Sequence, residues 1–209
     1  KESYKEIILV FGCGGDRDKQ KRPEMMKIAT GFSKIVLFTS DNNRNEDFLS
    51  IAKDAINGYE YNNLELMESR EDAIKTVLAA VDSGINLLDM APMYGRKREA
   101  EHVVGETFKG KKPEHVKVLT KCFVGNKEAN EIEGQLRHSL KKSLNAMQIQ
   151  FVDFFILHSN IVPDEWINPM KGEADVCTRW SAYIDGFIPA VEKLKAEGLI
   201  KNWGITGVG

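Results

Sequence analysis

Short apolar runs alternate with longer amphipathic stretches along the whole chain, and this alternation limits the fold more than any other feature. The apolar runs predict strands at Ile7 to Phe11, Ile35 to Thr39, Leu64 to Met67, Ile85 to Met90, Val116 to Thr120, Phe151 to His158 and Lys201 to Thr206. The amphipathic stretches predict helices at Pro23 to Phe32, Asp47 to Asn57, Arg70 to Ser83, Glu99 to Lys109, Glu131 to Met147 and Asp185 to Glu197. Apolar strands of this kind are typical of sheets with helices on both faces. We therefore expect a parallel α/β fold.

Charge and cysteine content restrict the kind of partner and the compartment. The formal net charge of -2 gives no basic excess for nucleic acid, and no apolar run approaches the roughly 18 residues of a membrane span. The first residues, Lys1-Glu2-Ser3, do not read as a signal peptide. Cys13, Cys122 and Cys177 are widely spaced, which favours reduced structural thiols. We expect a cytoplasmic protein that binds neither nucleic acid nor a membrane, with no metal site.

A glycine-rich turn follows the first predicted strand and leads into a helix. Such a turn presents free backbone N–H groups to an anion, which predicts binding of phosphate or sulfate. A polar segment after the second strand adds further donors. The candidate anion-binding residues in the two segments are Gly14, Gly15, Asp16, Arg17, Asp41, Asn42 and Arg44.

With these two segments, residues 1–75 resemble the C-terminal domain of Mur-type peptide ligases, especially the UDP-N-acetylmuramoyl tripeptide synthetases. The resemblance implies that both segments help to hold the incoming amino acid and close on the nucleotide. Asn43 stands where the family has proline. An ATP-dependent ligase needs a P-loop, and the sequence contains no Gly-x-x-x-x-Gly-Lys-Ser/Thr. We therefore expect no ligase chemistry from this segment.

Four polar residues stand at or just after the carboxyl ends of three later strands, where α/β folds place chemistry: Asp89, Tyr94, Lys121 and His158. Reduction of a carbonyl by hydride builds charge on oxygen, which an acid such as Tyr94 can neutralise. The Lys121 ammonium beside the phenol would stabilise the phenolate, and Asp89 would keep the lysine charged. His158 could orient the substrate oxygen.

The same residues make 71–209 resemble the aldo-keto reductases. The resemblance rests on Asp-x-Ala-x-x-Tyr-Gly, the strand-end lysine, the Leu-His-Ser pair and the closing strand Trp203-Gly204-Ile205-Thr206. It implies that the four polar residues are the family's catalytic tetrad, with Tyr94 as the acid and NADPH as the cofactor. It also implies that only the second to fifth barrel strands are present, so we expect no cofactor unless the remnant is active.

The two resemblances meet in a helix between Glu68 and Leu78. We interpret the chain as an engineered or recombined chimera that folds as one α/β domain over residues 1–209, with a ligase-like segment at residues 1–75 and a reductase-like segment at residues 76–209. A barrel needs eight strands and about 250 residues, so a Rossmann-like open sheet of about seven strands is expected, in the order 3-2-1-4-5-6-7. The alternative is a partial (β/α) barrel completed by association, for example as a homodimer.

Two functions follow from this interpretation, and both stay open. The first is a chimeric protein with no intact activity that binds an anion at the switch point, where Gly14, Gly15 and Arg17 would face Asp89 and Tyr94. The second is a residual NADPH-dependent aldo-keto reductase that reduces carbonyls to alcohols.

Overall fold

Parallel strands joined by helices form both halves of the chain. The computed structural model describes residues 7–41, 43–169 and 176–206. The chain divides into two compact units, Lys1–Gly84 and Ile85–Gly209. One domain over residues 1–209 was expected, and the boundary found here lies just after the helix in which the two resemblances meet.

The first unit is a three-stranded parallel sheet with three helices. Its elements are β1 Ile8–Phe11, α1 Lys21–Phe32, β2 Ile35–Thr39, α2 Phe48–Ile56, β3 Leu64–Met67 and α3 Arg70–Asp82. The strand order is β1-β2-β3, which confirms the order expected for these strands. The central strand β2 pairs with both neighbours and buries three consecutive residues, as a strand covered on both faces should.

The core of the first unit is built from β2 and the inner faces of α1 and α2. Phe38 is fully buried in β2 and packs against the rings of Phe11 and Phe48. The helix α2 starts at Phe48 because the Asp47 side chain accepts a hydrogen bond from the Ser50 amide at 2.9 Å. This cap places the first turn of α2 over the sheet.

The second unit contains a four-stranded parallel sheet. Its elements are β4 Leu87–Asp89, α4 Glu99–Phe108, β5 Lys117–Cys122, α5 Ala129–Met147, β6 Val152–Leu157, β7 Ile161–Val162, β8 Thr178–Arg179, α6 Trp180–Ala182, α7 Ile188–Ala196 and β9 Ile200–Ile205. The order is β4-β5-β6-β9, and β7 pairs with β8 separately. The pair β7 and β8 lies in a stretch for which the sequence predicts no strand. A π-helical turn, Tyr183–Phe187, joins α6 to α7.

The parallel α/β class is confirmed, but the described residues do not form a single sheet of order 3-2-1-4-5-6-7. That order needs β4 beside β1 in the middle of the sheet, whereas β4 pairs with β5 and has no second neighbour among the described strands. The exposure of β4 agrees with an edge position, because Leu87 and Asp89 are exposed and only Leu88 is buried. A central strand would be buried on both faces. Parallel strands in chain order match the alternative expectation of a partial (β/α) barrel.

Helices of the second unit pack on its sheet through apolar faces. The helix α5 buries Ile132, Leu136 and Leu140 at helical spacing, and α7 buries Val191 and Leu194. In the part of the chain that the structure describes, no helix is long and apolar enough to cross a membrane.

Candidate active site

The strands of the second unit bring the four predicted polar residues to one edge of the sheet. Asp89 is the last residue of β4, and Lys121 is next to last in the adjacent strand β5. His158 directly follows β6, and its amide donates to the Cys122 carbonyl at 2.8 Å. Tyr94 lies in the turn after β4. Since parallel strands end at the same edge, the topology gathers residues that are far apart in sequence.

Lys121 is the centre of this cluster. Its ammonium donates to the hydroxyl of Tyr94 at 2.9 Å and to the carbonyl of Met90 at 3.3 Å, and it forms an ion pair with Asp89. The three donors of the ammonium therefore have three acceptors. The ammonium also lies 4.6 Å from the centre of the Tyr94 ring. Lys121 is only 6% exposed, so this cation is held inside the protein by its partners.

His158 faces the same cluster as a half-buried imidazole. Burial, and then the positive charge of Lys121, lower the pKa of His158 below its ordinary value, while Asp89 opposes the shift. The neutral imidazole is therefore favoured near neutral pH. Its Nδ1 atom is buried and has no hydrogen-bond partner in the described structure. The ring can thus serve as a neutral donor or acceptor for another group.

A tight turn holds Tyr94 over Lys121. The Tyr94 carbonyl accepts a hydrogen bond from the Ala100 amide at 3.1 Å. Gly95 has a φ of 77°, and a Cβ atom at this position would lie 2.5 Å from the Cβ of Glu99. Only glycine fits both the conformation and the space. The Tyr-Gly pair of the sequence motif is therefore explained by the geometry of the turn.

A carboxylate that was not among the predicted site residues is buried next to this site. Glu101, on α4, is completely buried and accepts hydrogen bonds from Thr120 and Arg98. A signal for it exists, because Glu101 has the same helical spacing as the buried residues Val104 and Phe108. A charged residue on the apolar face of a helix indicates a buried polar partner.

The candidate anion-binding residues lie in the first unit, and the structure brings some of them together. The Arg44 guanidinium donates to the Gly15 carbonyl at 2.7 Å and to the Asp16 carbonyl at 3.4 Å. A Cβ on Gly15 would lie 1.8 Å from the Asn43 carbonyl oxygen, so the two segments approach as closely as glycine allows. Arg17 and Asp41 are exposed, and Asn42 lies outside the described residues.

A carboxylate of the chain itself binds the glycine-rich turn. The Asp16 amide donates to Glu46 at 2.7 Å, and the buried Arg22 donates to both oxygens of Glu46 at 2.7 and 3.0 Å. Lys19 forms an ion pair with the same carboxylate at 2.8 Å. These partners hold the pKa of Glu46 far below its ordinary value. Two cations close to the turn, Lys19 and Arg22, are thus engaged by Glu46.

Metal ligands and cysteine thiols are the other groups that could form a site in the described ranges. They contain no group of three or more His, Cys, Asp or Glu side chains arranged to hold a metal ion. The three cysteines are buried thiols, and burial raises the pKa of Cys122 to about 11.

Comparison with known proteins identifies relatives for both halves of the chain. Residues 1–91 match the Mur ligase, glutamate ligase domain, and residues 58–209 match the aldo/keto reductase family. The two matches overlap at residues 58–91, which include the expected seam. A UDP-N-acetylmuramoyl-L-alanyl-D-glutamate--2,6-diaminopimelate ligase of Listeria monocytogenes is 39% identical over 103 residues, which are 49% of this chain and 20% of that enzyme. The corresponding ligase of Clostridium botulinum is 47% identical over 72 residues, 34% of this chain and 15% of that enzyme.

Solved structures of aldo-keto reductases are similar to part of the chain. An aldo-keto reductase of Bacillus halodurans in its apo form gives a TM-score of 0.48 at 25% identity, covering 67% of this chain and 39% of that one. The chain therefore spans about two fifths of that reductase and one fifth of the Listeria ligase. The two family matches show that segments of two enzyme families are joined in one chain, as the two resemblances indicated. By the match over residues 58–209, the chain belongs to the aldo/keto reductase family.

Proposed function

We propose that the second unit is a site for the reduction of carbonyl groups, with Tyr94 as the proton donor and NADPH as the source of hydride. One observation carries the proposal: the Lys121 ammonium lies 2.9 Å from the Tyr94 hydroxyl and is paired with Asp89. This arrangement suits a phenol that must lose a proton, because the cation stabilises the phenolate that remains.

Tyr94 and His158 have different roles at the substrate oxygen: Tyr94 donates a proton, and His158 donates or accepts a hydrogen bond. Tyr94 is 38% exposed and so is open to a substrate. As charge develops on the carbonyl oxygen, the phenol transfers its proton to that oxygen, and the Lys121 ammonium balances the phenolate. The neutral His158 then suits a hydrogen bond that orients the same oxygen, since its lowered pKa keeps it from competing as an acid.

The donor set fits a nicotinamide cofactor. A phenol supported by an ammonium, beside a neutral imidazole with a free buried nitrogen, is suited to protonate an oxygen whose carbon receives hydride. NADPH would supply that hydride. Among the described residues, His158 and the 58% exposed side chain of Asp89 would hold its nicotinamide end.

We propose no ligase activity for the first unit, and we propose that its fusion to the second arose by recombination or design within the region of overlap. The direct binding of Glu46 by the glycine-rich turn supports a structural role for that turn. Carbonyl reduction at the Tyr94 site is therefore the activity proposed for this chain.

Steady-state kinetics test the proposal. Purified protein is mixed with NADPH and a reactive aromatic aldehyde, and the loss of nicotinamide absorbance is followed. We expect turnover that falls at least about 100-fold in Tyr94→Phe, because a general acid contributes roughly 10² to 10⁴ in rate. Tyr59→Phe is the matched control, since Tyr59 is an exposed tyrosine of the first unit. Equal rates for the parent and Tyr94→Phe would contradict the proposal, and so would absence of turnover in the parent.

A further inference from the structure

A buried carboxylate links the two backbone segments that carry Tyr94 and Lys121. Glu101 accepts a hydrogen bond from Thr120 Oγ1 at 2.7 Å through one oxygen and from Arg98 Nη1 at 2.9 Å through the other. Arg98 also donates to Ser143 at 2.7 Å and to Ser139 at 3.4 Å, both on α5. Glu101 and Thr120 are fully buried. Glu101 thus connects α4 to β5, and Arg98 extends the linkage to α5.

The position of Thr120 makes this linkage relevant to the site. Thr120 immediately precedes Lys121 on β5, and successive residues of a strand point to opposite faces. Glu101 therefore holds the strand from the helix side, directly behind the lysine that holds the phenol. A shift of β5 along or away from α4 would move Lys121 with it.

The position of Arg98 makes the linkage relevant to Tyr94. Arg98 lies four residues after Tyr94, at the start of α4, with a left-handed φ of 65°. Lys97 also has a positive φ, of 50°, so this connection depends on tertiary contacts to keep its shape. The contacts of Arg98 with Glu101 and Ser143 are among those that hold it.

We infer that Glu101 is a positioning residue for the Tyr94–Lys121 pair. Its two oxygens fix the distance between β5 and the segment that leads from Tyr94 into α4, and this distance sets the hydrogen bond between the phenol and the ammonium. A buried carboxylate without its partners is costly, so both contacts form together. The role assigned to Glu101 rests on the proposed function of the site.

The test compares two buried carboxylates that anchor the same strand. Glu101→Gln removes the charge behind Lys121. Asp153→Asn is the matched control, because Asp153 is 2% exposed and accepts from the Val118 amide at 3.0 Å, toward the other end of β5. The measurements are the thermal midpoint, kcat and KM for the aldehyde with NADPH, and the pKa of His158 from NMR of the imidazole C–H signals. The imidazole signal that is missing from the spectrum of His158→Gln is the signal of His158.

Both variants should unfold at a lower temperature, and only Glu101→Gln should disturb the site. We expect its kcat to fall about 10- to 100-fold, the scale of small misplacements in active sites, with KM changed less than about twofold. The pKa of His158 should rise towards its ordinary value, because the Lys121 ammonium no longer lies in its place. Asp153→Asn should change neither kcat nor the pKa of His158.

Thr120 provides a second pair of variants. Thr120→Ser keeps the hydroxyl and should keep the pKa of His158 at the parent value. Thr120→Val loses the hydrogen bond to Glu101 and should raise the pKa of His158. The inference is overturned if Glu101→Gln changes the thermal midpoint alone, or if Asp153→Asn has the same effects. If the parent shows no turnover, the proposed function fails, and the NMR titration by itself decides whether Glu101 positions Lys121.

Discussion

Lys121 shows how much of this site depends on a single side chain. It is buried, it carries a charge, and it has a carboxylate, a phenol and a carbonyl as partners. Each partner comes from the segment that runs from the end of β4 into the following turn. A residue with these partners cannot be replaced by a neutral side chain without leaving Asp89 unpaired. The chemistry proposed for Tyr94 therefore begins with the placement of Lys121.

His158 should make the stability of the second unit depend on pH. Its pKa is lowered in the folded protein, so the unfolded chain binds a proton at a higher pH than the folded chain does. The contribution of His158 to stability is therefore complete above the unfolded-state pKa and is lost as the pH falls through the folded-state value.

Urea unfolding between pH 5 and 8, followed by tryptophan fluorescence, measures this effect, because Trp166, Trp180 and Trp203 all belong to the second unit. We expect His158→Gln to show less loss of stability at acidic pH than the parent. His138→Gln, which changes a histidine away from the site on α5, should behave like the parent. The same loss in all three proteins would exclude a role for His158.

At the scale of elements, local signals in the sequence placed most helices and strands to within a few residues. The strands β2 and β3 have the predicted bounds, and α3 ends one residue before the predicted end. The strand β4 is shorter than predicted, because only the register from Leu87 to Asp89 pairs with β5. The pair β7 and β8 was not predicted, since two-residue strands have no periodicity to detect.

The start of α3 offers a test of one local signal. The Ser69 hydroxyl accepts from the Asp72 amide at 3.1 Å, and the Asp72 carboxylate accepts from the Ser69 amide at 3.2 Å, which together form a capping box. Ser69→Ala should lower the free energy of unfolding of the first unit by about 1 kcal/mol. Urea titration followed by circular dichroism measures it. Lys75→Ala is the control, because it removes only an exposed ion pair. If the urea midpoint of Ser69→Ala is no lower than that of Lys75→Ala, the capping box does not stabilise α3.

At the scale of the whole molecule, the chain has two main sheets where one was expected. Each unit has its own buried residues, with Phe38 at the centre of the first and Phe155 in the second. We therefore expect the two units to unfold in separate transitions, and the tryptophans to report only the second.

Two identical substitutions test this expectation. Ile51→Val in the first unit and Ile132→Val in the second both shorten a fully buried isoleucine, which costs roughly 0.5 to 1.5 kcal/mol. Ile132→Val should shift the fluorescence transition to lower urea. Ile51→Val should leave it in place and shift only the circular dichroism transition of the first unit. If both substitutions shift the fluorescence transition equally, the units unfold together.

The sequence by itself determined the parallel α/β class, most of the elements, the two families and the four polar residues that lie at one edge of the second sheet. These follow from local periodicity and from motifs whose spacing a single chain displays. Tertiary structure decided that β4 pairs only with β5 among the described strands, that Glu46 binds the glycine-rich turn, and that Glu101 holds Thr120 and Arg98. Strand pairing and buried ion pairs join residues far apart in sequence, and their partners are chosen by burial and register, which no local pattern records.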